Sequence, residues 1–240
     1  MSTPDTRDDA VTRWHGVAGA DALCREACRR ILDAAADAIQ RDGHFLIVLA
    51  GGNTPRGVYQ MLRGADTDWT RWQVYFGDER CLPVNHPERN SRMAAEAWLS
   101  HVPIPGDQVH VPPAERGAEA AAHAYAETLR NVGDFDLVLL GLGEDGHTAS
   151  LFPKHDWGVN PDAVDVLAVL DAPKPPAQRI SLSAARLGRT RTVLFLVEGE
   201  SKRSAVACWR SGAPLPAAAI QPARGVDVLI EFTLLNPNPG

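Results

Sequence analysis

The sequence predicts a Rossmann-like α/β fold, an open and mainly parallel sheet flanked by helices in a single domain. A continuous apolar run, Phe45–Ala50, reads as a strand buried on both faces, and Phe135–Leu140, apolar but for Asp136, reads as a second. Segments of helical periodicity alternate with these runs and with shorter β-prone ones, the order that βα units impose. The 240 residues suit one large domain, taken here as residues 1–240 with 1–17 as a loosely ordered arm.

Residues 20–41 carry Leu23, Ala27, Ile31, Ala35 and Ile39, a four-residue recurrence that predicts one buried helical stripe. The first apolar strand follows and ends at Gly51-Gly52-Asn53. Thr54 then suits an N-cap and Pro55 the first helical position of a helix reaching about Leu62. Gln73–Phe76 is a strand, and a helix runs from about Ser91 to Leu99. Val109–Val111 is a weak strand, and residues 117–131 are an Ala-rich helix. After the second apolar strand come strands at Val166–Leu170, Ile180–Ser183 and Thr192–Val197. A helix at Ser201–Trp209 and a strand at Val228–Phe232 complete the order. The Pro-rich stretches near Pro103, Pro112, Pro173 and Pro214 are short enough to be loops within one domain.

Composition narrows the function. Hydrophobic residues make up 45% and charged residues 22%, ordinary for a folded chain. The net charge is −6 and there is no Lys/Arg block, so no nucleic-acid partner is expected. A local pocket of donors can still bind an anion on an acidic protein. Cys24, Cys28, Cys81 and Cys208 form no C-x-x-C pair and have no histidines at zinc-site spacing, so they read as reduced thiols, with no metal expected. The polar N-terminus and the lack of a long apolar run predict a cytoplasmic protein with no membrane contact. The expected assembly is a monomer or a small homo-oligomer.

Three stretches carry chemistry. Gly51, Gly52, Asn53 and Thr54 stand between a strand and a helix, where free amides and a partial positive charge suit an anion. The same letters also suit a tight turn with an ordinary cap. No Gly-Lys-Ser/Thr follows, so a nucleoside triphosphate is not indicated. Gly77-Asp78-Glu79-Arg80 follows another strand, with His86, Pro87 and Asn90 next in the loop. A solvated loop is the common reading of such charges, but Arg80 offers a fixed, always-charged fork for an oxygen of the substrate.

Gly141-Leu142-Gly143-Glu144-Asp145-Gly146-His147 matches the glycine spacing of a dinucleotide site. Glu144 and Asp145 would place negative charge where a pyrophosphate lies, and Pro153 interrupts the helix such a site needs. What remains is a Gly-rich turn presenting His147 beside two carboxylates, a group suited to proton transfer near neutral pH. Arg179 opens a strand and Lys202 a helix, where each can meet a phosphate. A G-x-S-x-G elbow and an H-E-x-x-H site are both missing.

These segments together resemble the 6-phosphogluconolactonases. The similar stretches are Leu49–Tyr59, Phe76–Pro83 with His86–Ser91, Asp136–Pro153, and Ala172–Leu182. They occur in the family's order and span most of the chain. Asn53 departs from the serine common at its position. The resemblance implies a Rossmann-like fold shared with glucosamine-6-phosphate deaminases. It also implies hydrolysis of a 6-phosphogluconolactone in the oxidative pentose phosphate pathway, without a cofactor. His147 resembles the family's catalytic base and Arg80 its substrate-binding or oxyanion-stabilising arginine. Gly51, Gly52 and Thr54 resemble part of a phosphate cradle. Asp145 or Glu144 would orient the imidazole, and Arg179 and Lys202 would meet the phosphate. The deaminases typically carry Asp-Glu-Tyr where this chain has Asp78-Glu79-Arg80, and an acidic residue where it has Phe152. A deaminase-type activity on an amino sugar phosphate and a non-enzymatic sugar-phosphate sensor are the alternatives.

Overall fold

The computed structural model describes residues 11–236. Strand β1 (Thr12–Val17) leads into helix α1 (Ala20–Asp42) and strand β2 (Phe45–Leu49). Helix α2 (Asn53–Leu62), strands β3 (Trp72–Phe76) and β4 (Asp78–Arg80), and helix α3 (Asn90–Ala97) follow. Next come helix α4 (Ala118–Leu129) and strands β5 (Phe135–Gly141), β6 (Val166–Val169) and β7 (Arg179–Leu182). Helix α5 (Ala184–Gly188), strand β8 (Thr190–Val197), helix α6 (Arg203–Arg210), strand β9 (Val226–Glu231) and helix α7 (Phe232–Leu235) complete the described chain.

Six strands form one sheet in the order β1-β9-β8-β5-β2-β3, and every pairing in it is parallel. Strand β5 shows why both faces are covered. Phe135, Val138 and Leu140 point into the core under α4 and α6, while Leu137 and Leu139 point into the core under α1, α2 and α3. A strand buried on both sides needs apolar residues in succession, which is how β2 and β5 read. The buried face of α1 is Leu23, Cys24, Ala27, Ile31, Ala35 and Ala38. Ala38 takes the place predicted for Ile39, because steps of four residues drift around a helix that turns every 3.6. No helix among the described residues is long and apolar enough to cross a membrane.

Three departures from the sequence reading matter. The later part of the expected arm is strand rather than loose chain. Thr12–Val17 is an edge strand in parallel register with β9, Thr12 opposite Val226 and Val17 opposite Glu231. Its partner lies over two hundred residues away, so no local pattern announces it. Residues 1–10 of the expected arm lie outside the described residues. Second, the predicted strand at Val109–Val111 reduces to a single bridge between Val109 and Val74. Third, β4, β7 and β6 leave the main sheet and form a small antiparallel one in that order. The charged stretch after β3 is therefore largely enclosed. Asp78 and Glu79 are buried.

Glu79 is fully buried at the start of α3. One carboxylate oxygen accepts from the Asn90 amide at 2.7 Å and the Arg80 amide at 2.8 Å, and the other from the Ser91 amide at 2.9 Å. The buried Arg89 guanidinium stands 3.4 Å away. The carboxylate thus satisfies helix amides that have no partner within the helix, and a cation compensates its charge. Glu79→Ala leaves the amides of Arg80, Asn90 and Ser91 without their acceptor and removes one of the two carboxylates beside Arg89, the other being Glu115 at 3.1 Å. The expected loss of unfolding free energy is ~1–3 kcal/mol, the range for leaving a buried polar group unsatisfied. Urea denaturation checks it, and an unchanged midpoint contradicts the role.

Candidate active site

A cleft of about 410 Å³ opens at the carboxyl ends of β2, β5 and β8. It lies between β2 and β5, where the chain leaves β2 towards β3 on one side and goes on from β5 to β8 on the other. Open α/β sheets bind ligands at this kind of switch point. The turn at Gly51–Thr54 forms one wall, and Gly143, Glu144 and His147 form another. Arg80, Lys174, Arg179 and Lys202 supply cations to the lining.

The first wall begins where β2 ends. The Tyr59 hydroxyl donates to the Ala50 carbonyl at 2.8 Å and accepts from the Ala50 amide at 3.0 Å, so α2 pins the strand end beneath it. The helix starts two residues earlier than predicted. Gly52 is its N-cap, with φ 111° and ψ 174°, and Asn53 is the first helical residue. Thr54 and Pro55 therefore lie inside the first turn, and no side chain caps the helix. Gly52 can take a backbone conformation that Thr54 cannot hold comfortably, and this sets the boundary. Asn53 and Thr54 thus belong to the group of first-turn amides without intrahelical partners. Gly51 is required for a different reason. A Cβ built on it would sit 2.0 Å from Oδ1 of Asn90, which packs against the turn.

The second wall is the loop after β5, which turns back instead of entering a helix. The Gly143 amide donates to the His147 carbonyl at 2.7 Å, and the Gly146 amide, at a φ of 86°, donates to the Gly143 carbonyl at 3.1 Å. This turn folds the imidazole over Gly143, where a Cβ would come within 2.0 Å of Nδ1. His147 Nδ1 lies 2.5 Å from Asp145 Oδ1, and the His147 amide donates to the same oxygen at 3.2 Å. Glu144 instead stands 3.9 Å from the Lys174 ammonium. Asp145 is therefore the carboxylate that orients the ring. Phe152 packs against the imidazole with ring centroids 4.9 Å apart. Burial acts to raise the Asp145 carboxyl, but the hydrogen bonds from the His147 ring and amide outweigh it and hold the group below its ordinary range.

The small sheet supplies the floor. Strand alternation turns Glu79 towards α3 and presents Asp78 and Arg80 to the cleft. Arg80 pairs in register with Arg179. Like charges directly opposite each other are unfavourable unless an anion or acceptors lie between them. Arg80 donates to the Glu88 carbonyl, and its buried Nε has no partner among the described residues. Arg179 is buried and donates to the carbonyls of Pro176 at 3.1 Å and Lys174 at 2.8 Å. Its guanidinium stands 5.5 Å above the Phe152 ring. Burial lowers its pKa from the ordinary arginine value.

Eight of the nine predicted site residues line this cleft: Gly51, Gly52, Asn53, Thr54, Arg80, His147, Arg179 and Lys202. Asp145 stands behind His147. Sequence reasoning assigned no role to Asp78, Asn90, Lys174 or Glu198, which also line it. Lys174 stands within Ala172-Pro-Lys-Pro-Pro176, where a lysine between prolines is a legible signal. Asp78 and Asn90 carry no such mark, because only the fold turns them inward. Among the described residues no group of His, Cys, Asp and Glu gathers as a metal site.

Residues 18–229 match the family model described as glucosamine-6-phosphate isomerases/6-phosphogluconolactonase. A 6-phosphogluconolactonase of Streptomyces coelicolor is 38% identical over 221 residues, covering 85% of this chain and 84% of the relative. One from Mycobacterium tuberculosis is 39% identical over 207 residues, covering 80% and 83%. The crystal structure of a Thermotoga maritima 6-phosphogluconolactonase superposes with a TM-score of 0.85 at 26% identity, covering 92% of this chain and all of that one, 100%. The Trypanosoma brucei enzyme superposes with a TM-score of 0.83 at 27% identity, covering 94% and 98%.

The depressed Asp145 carboxyl makes a prediction with a definite sign. A carboxylate lowered on folding adds stability above the ordinary aspartate value, ~3.9, and loses it as pH falls through the depressed value. The side chain is half exposed, so the effect is modest. Wild type is expected to exceed Asp145→Asn in urea-unfolding stability at pH 5, with the gap closing below about pH 4. A gap that widens on acidification contradicts the pairing.

Proposed function

The chain belongs to the glucosamine-6-phosphate isomerase/6-phosphogluconolactonase family and is an enzyme of the lactonase type. On that premise we propose that it hydrolyses 6-phospho-D-glucono-1,5-lactone to 6-phospho-D-gluconate, with His147 as general base. One observation carries the reading. A carboxylate-oriented imidazole and an unpaired helix N-terminus, nearly a hundred residues apart in sequence, line the same cleft.

The phosphate docks on the Gly51–Thr54 turn, where first-turn amides and the helix dipole favour an anion. Lys202 and Arg179 add positive charge on the same lining. Docking this non-reacting end makes the later attack effectively unimolecular. The Asp145 carboxylate accepts the Nδ1 proton of His147. That tautomer leaves Nε2 as an acceptor. Nε2 takes a proton from water as its oxygen adds to the lactone carbonyl carbon. Arg80, whose buried Nε has no partner among the described residues, stabilises the oxyanion. Collapse breaks the bond between that carbon and the ring oxygen. The ring oxygen leaves with the proton held on His147 and becomes a hydroxyl, and the new carboxylic acid ionises in water. Asp145 stabilises the imidazolium during the interval.

Deaminase-type ring opening and proton transfer need an acid where this chain has Phe152, a buried aromatic ring that carries no proton to give. Ammonia release from glucosamine 6-phosphate is therefore not expected.

The test is acid release from freshly prepared 6-phosphogluconolactone, measured above spontaneous hydrolysis. His147→Ala is expected to lower kcat by ~10²–10⁴-fold with a smaller change in KM. Near-normal turnover in the folded variant would remove His147 from this role. Lys202→Ala touches only the non-reacting end and is expected to raise KM. A loss confined to kcat contradicts its placement on the phosphate.

A further inference from the structure

We propose that Asp78 is a positioning residue for this reaction, its two carboxylate oxygens tying the anion-binding turn to the loop that presents His147. The inference rests on the lactonase reading and extends it to a residue that touches both walls through intermediaries.

Asp78 is buried on β4, in the floor between the two walls. Its Oδ1 accepts from the Asn90 side-chain amide at 2.9 Å, and the same amide donates to the Asp78 carbonyl at 3.0 Å. Asn90 is the group that packs against Gly51 so closely that a Cβ there would overlap it. The position of Asn90 therefore determines where the anion-binding turn rests. The other oxygen, Oδ2, accepts from the Ser150 hydroxyl at 2.6 Å. Ser150 is buried three residues after His147, and its amide donates to the Ser181 hydroxyl at 3.2 Å. Between them, the Thr148 hydroxyl donates to the Gly141 carbonyl at 2.9 Å, and Ala149 sits at a φ of 48°. The histidine loop is thus held at its far end by Asp78 and at its near end by strand β5.

A buried carboxylate is costly, and helix packing alone would be served by an apolar side chain. The two acceptor oxygens do something an apolar group cannot. Each takes a short hydrogen bond from a different wall, so the separation of the walls follows from one rigid group. Attack geometry is sensitive to errors of this kind, with 1 Å of misplacement costing up to ~10²-fold.

The assay compares Ser150→Ala, Asn90→Ala and Asp78→Asn with wild type, at a temperature where circular dichroism shows each folded. Competitive inhibition by inorganic phosphate reads the anion-binding turn separately. Ser150→Ala loosens only the histidine side and is expected to lower kcat on the order of 10-fold, with KM and phosphate affinity unchanged. Ser150→Thr keeps a hydroxyl and is expected to recover most of that loss. Asn90→Ala loosens the other side and is expected to raise KM and weaken phosphate, with kcat less affected. Asp78→Asn is expected to show both defects.

Lowered stability with unchanged kcat and KM in all three folded variants would make the network purely structural and overturn the proposal. Defects in Asp78→Asn with wild-type behaviour in the other two would also overturn it, by making Asp78 a direct substrate contact. If Asp78→Asn does not fold, the opposite kcat and KM responses of the Ser150 and Asn90 variants still decide the matter. Failure of the lactonase reading looks different. Wild type then consumes no lactone, whereas failure of this inference leaves wild type and its dependence on His147 intact.

Discussion

The structure depends on one constraint, the parallel direction of all six strands in the main sheet. Parallel strands bring every carboxyl end to the same edge, so the chain must leave the sheet there each time. The exits from β2, β3, β5 and β8 become neighbours, although they lie far apart in sequence. The reversal of winding beside β2 spreads the exits apart and leaves the cleft between them. The first exit supplies helix amides, the second the Asp78–Arg80 strand, the third the histidine loop and the fourth Lys202.

Charge is distributed over this edge with a clear division of labour. Glu79, one residue from Asp78, faces away and is used up on the amides of α3 and on Arg89. Asp78 and Arg80 face the cleft because a strand alternates its sides. The antiparallel pairing with β7 then sets Arg179 opposite Arg80. Arg179 gives several donors to the loop carbonyls of Lys174 and Pro176, so part of its role is to hold the strap that carries Lys174. Its position over Phe152, the ring that also packs against His147, joins the cationic floor to the imidazole wall.

Much of this was legible in the residues. The double-sided apolar runs of β2 and β5 located the central strands, and the glycine-rich stretches after them located two walls of the site. The choice between Glu144 and Asp145 was not legible, since both precede His147 closely. It depends on a turn in which Gly143 and Gly146 bend the ring back onto Asp145. Strand β1 was missed because its pairing with β9 joins distant segments. The stretch Asp78–Arg80 read as a loop because its letters are charged, and its burial is a property of the neighbours that cover it. The cap of α2 lies two residues before the expected Thr54 because the strong local preferences of Thr54 and Pro55 are overridden by the conformation available to Gly52.

The amino-acid letters were enough for the α/β class, the order of most elements and the residue types gathered for chemistry. Local periodicity, turn preference and side-chain acidity are properties of short segments, so they can be read without the fold. Three-dimensional packing was needed to show which of those residues share a cleft, which carboxylate holds the imidazole, and that Asp78 lies between the walls. These are relations between segments separated by tens to hundreds of residues. They arise only when burial of apolar faces on both sides of the sheet brings the strand ends together.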